Sequence, residues 1–296
     1  MKKILVLGGT RFFGKKLVEI LVEEGHEVTI ATRGEIAHSF GDRVNHVAVD
    51  RTNRTAMATA FTNADWDVIY DNICYSPNDA LAACEIFEGK TKKYVFTSSM
   101  STYADLGANL SEEDFDPYTY EILYGNTADF SYGEGKRQAE AVFFQKAKFP
   151  VVAVRFPIVL GEDDYTRRLH FHVERVAEEK AISFLNMDAR MSFILSNDAS
   201  AFLKFAGLSD IVGPYNATSS GTFSLRELMD IVEQSVGKKA KIALVGDDET
   251  RSPFAVPTDW FMTQEKSIQS GFTCQPLEDW LPNLIQKLSL KQLQQK

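Results

Sequence analysis

Two residues near the middle of the chain have the types and the spacing for proton transfer. Tyr132 and Lys136 stand four positions apart in SYGEGKRQAE, and residues four apart lie on one face of a helix. A phenol is a weak base because its ordinary pKa is about 10, and a neighbouring ammonium stabilises the phenolate form. Such a pair occurs by chance in many chains, so the fold around it must decide whether it does chemistry.

Three serines precede this pair in FTSSMSTYADLG, at the end of a predicted strand. They are Ser98, Ser99 and Ser101. One of their hydroxyls could donate to a substrate oxygen while the tyrosine exchanges its proton. The alternative is that all three hydroxyls satisfy loop backbone.

The start of the Tyr132 helix carries two further signals. Ser131 and Glu134 have the spacing of a capping box, which would begin the helix at this point. Gly133 and Gly135 are poor helix formers. They indicate either the close approach of a flat group or a frayed first turn.

The segment GGTRFFG follows the first predicted strand and opens the first predicted helix. Glycines let the backbone bend and let a phosphate approach the free N–H groups at a helix N-terminus. The spacing is the GxxGxxG form with an arginine in place of the middle glycine. An ordinary tight turn is the alternative. We predict a pyrophosphate-binding turn formed by Gly8, Thr10, Arg11, Phe12, Phe13 and Gly14.

The end of the second predicted strand indicates which dinucleotide would bind. Folds that bind NAD place a carboxylate there for the ribose, but the segment IATRG has Arg33. A guanidinium can bind a 2′-phosphate with a forked pair of hydrogen bonds, so we predict NADP(H) as the preferred cofactor, with NAD(H) left open. A solvated arginine at a strand end is the alternative. Arg11 could reach the same phosphate or cover the adenine. Asp50 could contact the adenine amino group or serve as a turn residue, and we predict Asp50 and Arg51 as cofactor-binding residues.

Alternating strands and helices must position these residues. Nearly continuous apolar runs predict strands at 3–8, 27–32, 44–49, 67–72, 93–99 and 150–156. Helical patterns lie at 11–25, 78–89 and 132–148, and later in the chain a charged helix follows a loop in 161–180. A strand and a helix capped by Ser196 or Asn197 follow in 191–207, and a strand edge lies in 213–219. This order predicts an α/β fold with a Rossmann-like, doubly wound parallel sheet.

The pattern loosens after residue 160, which predicts two parts of unequal size. Residues 1–160 would form the dinucleotide-binding domain, with 191–216 contributing to it. Residues 161–190 and 217–296 would form a smaller substrate-binding lobe.

Composition limits the classes of protein that the chain could belong to. The 296 residues include 44 % hydrophobic and 25 % charged residues, which is typical of a globular protein, and the net charge is −9. This balance argues against a nucleic-acid surface. The cysteines Cys74, Cys84 and Cys274 have no metal-ligand spacing, and His170 and His172 are two apart, so we expect no metal, a reducing compartment and a cytoplasmic location. No apolar run is long enough to predict a leader or a membrane span.

Taken in order, GGTRFFG, FTSSMSTY, YGEGK and VRFPIVLGEDD resemble the short-chain dehydrogenase/reductase superfamily, in its extended or atypical branch of NAD-dependent epimerases and dehydratases. The resemblance implies Ser99, four residues before Tyr103, as the catalytic serine beside Tyr132 and Lys136. It implies cofactor contacts from Asp71, Asn72 and Ile73 after the fourth strand, from Ser98 and the Tyr132–Lys136 pair, and from the loop Pro157, Ile158 and Val159.

The chain departs from that family at three positions. Ile158 stands where nucleotide-sugar epimerases have an asparagine, Asp79 replaces a helix asparagine, and Arg11 replaces a glycine. The motif GGTR is also shared with chloroplast stem-loop RNA-binding proteins.

The resemblance implies an NAD(P)-dependent epimerase, dehydratase or reductase that transfers hydride to or from a hydroxyl or ketone of a sugar-like substrate, for instance a nucleotide sugar. Two alternatives stay open, a non-catalytic NADP(H)-binding regulator and an RNA-binding protein. Arg167, Arg168, His170 and Arg190 could meet an anionic substrate. The family also implies a homodimer formed through two flanking helices.

Overall fold

The computed structural model of the chain describes residues 1–104 and 106–294. Its thirteen strands within those residues are β1 Lys3–Leu7, β2 Glu27–Thr32, β3 Asn45–Ala48, β4 Val68–Asp71, β5 Tyr94–Ser99, β6 Val151–Phe156, β7 Ile158–Leu160, β8 Ala181–Ser183, β9 Arg190–Met191, β10 Phe193–Leu195, β11 Gly213–Asn216, β12 Phe223–Ser224 and β13 Lys241–Ala243. Its nine α-helices are α1 Phe12–Glu23, α2 Arg54–Ala60, α3 Pro77–Phe87, α4 Tyr132–Lys146, α5 Arg168–Ala177, α6 Ser196–Leu208, α7 Leu225–Val236, α8 Glu265–Gln269 and α9 Leu277–Gln294.

Seven of these strands form one parallel sheet in the order β11-β6-β5-β4-β1-β2-β3. The chain leaves β1 for β2 on one side and later returns to place β4 on the other side. The order therefore reverses at β1, and the carboxyl ends of β1 and β4 flank a crevice, which is the place where such sheets bind ligands. The predicted α/β, Rossmann-like doubly wound fold is confirmed.

The strands are apolar throughout because helices cover both faces of the sheet. One buried cluster includes Ile4 and Val6 and packs against α1 and α6, while the alternate residues Leu5 and Leu7 face the cluster under α3 and α4. All of β6 is buried. A third cluster joins α5, α7 and α9 around residues between 160 and 288. Within the described residues, no helix combines the length and the apolar character needed to cross a bilayer.

Helix capping explains where several helices begin, and it corrects two predictions. At α4, Ser131 Oγ accepts from the backbone N–H of Glu134 at 3.3 Å, but the Glu134 carboxylate binds Arg137 and Gln138 rather than returning to the cap. Only half of the predicted capping box is present. The predicted cap of α6 by Ser196 or Asn197 is wrong, because both residues lie inside the helix and its N-cap, Leu195, makes no side-chain bond.

The short helix α2 was not predicted from the sequence. Its only cap is Asn53, whose side chain accepts from the backbone N–H of Ala56, and its seven residues bury a single side chain, Met57. A helix with so little buried surface carries too weak an apolar period to detect.

Candidate cofactor and active-site cleft

A cleft of about 1090 Å³ runs along the carboxyl ends of the sheet strands. Its sheet wall consists of residues 8–14, 32–36, 49–52, 72, 73, 75, 97–101, 132 and 136. Its second wall consists of residues 156–159, 164–166, 168, 253 and 260. The volume reaches the upper end of what ordinary ligand pockets provide, which suits a ligand as large as a dinucleotide.

The glycine turn after β1 is shaped as the sequence predicts. Gly8 and Gly9 have φ angles of 95° and 93°, which only glycine adopts readily, and a Cβ on Gly9 would lie 2.9 Å from Val18. A Cβ on Gly14 would lie 3.2 Å from Asn72 Nδ2. Arg11, the N-cap of α1, makes no side-chain cap bond, so the first N–H groups of the helix have no side-chain partner there.

Asn72 brings an unsatisfied donor to the same turn. Its Oδ1 accepts from Thr97 Oγ1 at 2.7 Å, while its Nδ2 is buried and has no hydrogen-bond partner among the described residues. A buried donor without a partner costs free energy unless a ligand accepts from it. Ile73, the next residue, also lines the cleft.

Two arginines at this end of the cleft, Arg33 and Arg51, have different surroundings. Arg33 is exposed and pairs with the exposed carboxylate of Glu35 at 3.0 Å. Arg51 is buried and donates to Asp71 Oδ2 through Nε at 3.0 Å and Nη2 at 2.8 Å. Two nitrogens of Arg51 therefore hold an internal ion pair, while its buried Nη1 has no hydrogen-bond partner among the described residues. Arg51 also lines the cleft, so its predicted contact with the cofactor stays a prediction.

Asp50 fits the turn interpretation that the sequence left open. Its Oδ1 accepts from the backbone N–H of Thr52 at 2.9 Å and from the Thr52 hydroxyl at 2.8 Å. These bonds, helped by the nearby Arg33 guanidinium, lower the pKa of Asp50. The residue also lines the cleft.

Lys136 and Tyr132 meet at the floor of the cleft. The Lys136 side chain is buried, and its Nζ donates to the carbonyls of Cys74 and Thr97, each at 2.8 Å. The same Nζ lies 5.9 Å from the Tyr132 ring centroid and 4.4 Å from that of Tyr75. Two carbonyls therefore fix the ammonium beside an exposed phenol.

Gly133 and Gly135 serve the close packing of backbone. A Cβ on Gly133 would lie 2.5 Å from the Ser101 carbonyl, and one on Gly135 would lie 2.5 Å from the Tyr75 carbonyl. The first turn of α4 is formed, so a frayed turn is wrong, and the group that approaches is backbone rather than a flat ligand.

The serines after β5 divide between the cleft and the interior. Ser99 lines the cleft, and its Oγ accepts from the backbone N–H of Ser101 at 3.1 Å. Ser98 is buried and its hydroxyl donates to Glu140, which in turn pairs with Arg155 at 2.7 Å. The Ser98 hydroxyl therefore belongs to an internal network, but the residue also lines the cleft, so its predicted contact with a cofactor stays a prediction.

The second wall contains residues that sequence reasoning missed. Tyr165 and Trp260 line it, and Tyr75 faces them from the sheet wall. Asp164 is 3 % exposed, and its Oδ2 has no hydrogen-bond partner within the described ranges. The segment GEDDYT follows β7 directly, which could have pointed to Asp164, but no local signal marks Trp260.

Only one of the four residues predicted to meet an anion lines the cleft. Arg168 does so at the start of α5. Arg167 pairs with Glu174, and Arg190 pairs with Glu227 at 3.1 Å. His170 is buried against the carbonyl of Glu162.

The cysteines are buried, and two of the departures from the family pattern, Asp79 and Ile158, have different positions relative to the cleft. The described part of the chain holds no group of three or more His, Cys, Asp or Glu side chains suited to a metal ion. Its three cysteines are buried and free, and burial raises the pKa of Cys84 to about 12. Asp79 is buried in α3, where burial raises its pKa. Ile158 lines the second wall beside Pro157.

Known proteins resemble the chain in both sequence and fold. Residues 4–76 match the NAD dependent epimerase/dehydratase family. A chloroplast stem-loop binding protein of 41 kDa from Arabidopsis thaliana is 33 % identical over 133 residues, which are 39 % of this chain and 34 % of that protein. UDP-glucuronic acid decarboxylase 1 of Danio rerio is 22 % identical over 97 % of this chain and 73 % of its own length.

Among solved structures, the dTDP-glucose 4,6-dehydratase of Bacillus anthracis in complex with NAD has the same fold, with a TM-score of 0.76 at 16 % identity over 97 % of this chain and 96 % of that one. The resemblance stated from the sequence motifs is thereby confirmed over residues 4–76, which match the NAD dependent epimerase/dehydratase family, and almost the whole chain has the fold of the solved dehydratase.

Proposed function

We propose that the protein is an NAD(P)-dependent epimerase, dehydratase or reductase that acts on a hydroxyl or ketone of a sugar-like substrate. The observation that carries this proposal is the convergence of Ser99, Tyr132 and Lys136 on one cleft that begins at the glycine turn. The family match over residues 4–76 supports it. The division into a dinucleotide domain and a smaller substrate lobe is part of the same proposal.

The residues present fit a dinucleotide. The glycine turn offers its backbone, Asn72 Nδ2 offers a donor without a partner, and the α1 N-terminus favours negative charge. We assign the diphosphate to this turn, the nicotinamide end to Pro157 and Ile158, and the ribose beside it to Lys136. A bound nicotinamide supplies hydride acceptance and donation.

The side chains of the cleft would carry the proton chemistry. Tyr132 would exchange the proton of the substrate oxygen, and Ser99 would donate a hydrogen bond to the same oxygen. Lys136 would stabilise the phenolate, since its ammonium is held beside the ring by the two carbonyls at 2.8 Å.

Within this function we propose a preference for NADP(H). Arg33 lines the cleft at the end of β2, where the adenosine 2′ position would lie, and its partner Glu35 is an exposed carboxylate that a phosphate could displace. Solved relatives are described with NAD, for instance the dehydratase of Bacillus anthracis. NAD(H) therefore remains the alternative cofactor.

A nucleotide sugar is the substrate class we propose. The named substrates of related proteins, such as UDP-glucuronic acid and dTDP-glucose, are of this class. Arg168 in the second wall provides a cation for such an anion. The predicted homodimer is retained as part of the proposal.

We do not favour the two other functions considered. A non-catalytic regulator has no need for Ser99, Tyr132 and Lys136 to meet in one cleft. RNA binding needs a basic face, and the net charge is −9.

Replacement of Tyr132 by Phe tests the proposed chemistry. Wild-type protein is incubated with NADP+ or NAD+ and with UDP-glucose, UDP-glucuronate or dTDP-glucose, and products are identified by mass spectrometry and NMR. We expect the variant to lose about 10²- to 10⁴-fold in turnover, the usual contribution of a general acid–base group.

Tyr124→Phe is the matched control, because Tyr124 is exposed and lies outside the cleft lining. It should keep wild-type turnover, and Tyr132→Phe should keep wild-type affinity for the dinucleotide. Equal turnover in Tyr132→Phe and wild type would remove the proposed mechanism.

A further inference from the structure

Arg11 makes a contact across the cleft that the sequence did not predict. The position belongs to the middle glycine of the motif, and here its guanidinium carbon lies 5.4 Å from the ring centroid of Tyr165. Tyr165 comes from the loop between β7 and α5, on the second wall. The glycine turn and the second wall are therefore joined by a cation–π contact.

Phe12 strengthens the same junction. Its ring meets that of Tyr165 edge-on, with centroids 6.3 Å apart and an interplanar angle of 90°. A Cβ on Gly161 would lie 3.0 Å from Phe12, so the loop packs closely on this ring. Phe12 has a φ of 50°, a strained conformation for a bulky residue that surrounding contacts must hold in place.

The electrostatics of the junction leave Arg11 available to an anion. Arg33 and Arg51 have carboxylate partners, but Arg11 forms no ion pair within residues 1–104 and 106–294. A guanidinium stacked on a ring keeps the N–H groups at its edge free to donate. Tyr165 itself is 60 % exposed, so it retains a surface that a ligand can cover.

We propose that Arg11 and Tyr165 form a clasp over the diphosphate of the bound dinucleotide, and that Tyr165 is a cofactor-binding residue. The inference rests on the proposed function, because it needs a diphosphate in the glycine turn. Arg11 donates to the oxygens of a phosphate held in the glycine turn. Tyr165 holds the guanidinium in that position, and the pair slows release of the dinucleotide.

The rate of dinucleotide release tests the clasp independently of turnover. NADPH is bound to the full-length protein, and its release is followed by stopped-flow fluorescence on dilution into excess NADP+. We expect Arg11→Gly, which restores the family glycine, and Tyr165→Ala each to release NADPH about tenfold faster. The double variant should be no faster than the faster single one, because the two residues act as one unit. Tyr165→Phe keeps the ring and should match wild type.

Two results of the release experiment would contradict the clasp in different ways. Unchanged release in both single variants, or multiplied effects in the double variant, would overturn the clasp while leaving the proposed function standing. If wild type binds neither NADPH nor NADH, the proposed function fails and the clasp fails with it. Circular dichroism of every variant identifies any loss of folding, and Tyr165→Phe against Arg11→Gly still decides the matter if Tyr165→Ala does not fold.

Discussion

The two walls of the cleft differ in whether their buried charged groups have a counter-ion. On the sheet wall and directly behind it, Asp71 pairs with Arg51 and Glu140 pairs with Arg155 inside the protein. On the second wall, Asp164 is a buried carboxylate for which the described residues provide no cation. Two neighbours of that wall also have buried nitrogens without partners there, Trp260 Nε1 and His170 Nδ1.

The sheet wall is therefore preorganised, whereas the second wall has polar groups whose hydrogen bonds a ligand would complete. Internal ion pairs and backbone bonds hold Ser99 at the end of β5 and Lys136 in α4, which is the preorganisation that proton transfer requires. The unsatisfied Asp164 Oδ2 and Trp260 Nε1 of the second wall are costly in the free protein, and we expect a substrate to provide their partners, as we propose that the dinucleotide does for Asn72 Nδ2 on the sheet wall. The second wall is therefore where we expect substrate specificity to lie.

Breaking the pair behind the sheet wall should have the largest effect. Glu140→Gln leaves the fully buried Arg155 charge without its counter-ion. We expect the free energy of unfolding to fall by about 3 to 5 kcal/mol, the usual cost of an uncompensated buried charge. Urea unfolding followed by circular dichroism measures it.

Asp188→Asn is the control for this measurement, because it breaks an exposed ion pair with Arg226. It should leave the unfolding midpoint unchanged. A midpoint for Glu140→Gln that coincides with this control would show that the sheet wall does not depend on its internal ion pair.

Acid should destabilise the helix that supports the second wall. Burial lowers the pKa of His172 in α5 from 6.5 to about 4. Between these values the unfolded chain binds the proton and the folded chain does not, so stability is full above pH 6.5 and falls as the pH drops toward 4. The shift corresponds to about 3 kcal/mol.

His172→Gln should remove most of that loss. Chemical denaturation at several pH values gives the free energy of unfolding of both proteins. Between pH 7 and 8 this free energy should change with pH by the same amount in the variant and in wild type. The prediction is contradicted if the variant loses as much stability as wild type between pH 6.5 and 4.

Arg168→Ala gives the smallest expected effect and sharpens the assignment of substrate binding to the second wall. Removal of this cation should raise the KM for a nucleotide sugar about tenfold, which is about 1.4 kcal/mol, and should leave dinucleotide affinity unchanged. Steady-state kinetics measure both quantities. Arg167→Ala is the matched control, because Arg167 pairs with Glu174 and does not line the cleft. Equal KM values in the two variants would place the anion elsewhere.

The sheet side of the molecule was predictable because its signals are local. The strands are short apolar runs with glycine turns between them, and the predicted helix 11–25 is α1 Phe12–Glu23 in the structure. The Tyr132–Lys136 spacing places both residues in the cleft because one helix sets their separation.

Partners distant in the sequence could not be predicted. The sequence motif at the end of β5 does not distinguish Ser98 from Ser99. Only the fold places Glu140 beside Ser98. Arg51 meets Asp71 across twenty positions, and Arg11 meets Tyr165 across the cleft. Side chains that meet through tertiary packing leave no periodicity or spacing in the sequence. For this reason most contacts of the second wall were not predicted.

We propose above all that the cleft holds a dinucleotide and that Arg33 binds its 2′-phosphate. Isothermal titration calorimetry of the full-length chain with NADP+ and NAD+ tests it most directly, with Arg33→Ala as the variant and Arg43→Ala, outside the cleft lining, as its control. The account predicts that wild type and the control bind NADP+ at least about tenfold more tightly than NAD+, and that Arg33→Ala loses this preference. Absence of binding by either dinucleotide, or a clear preference of wild type for NAD+, would contradict it.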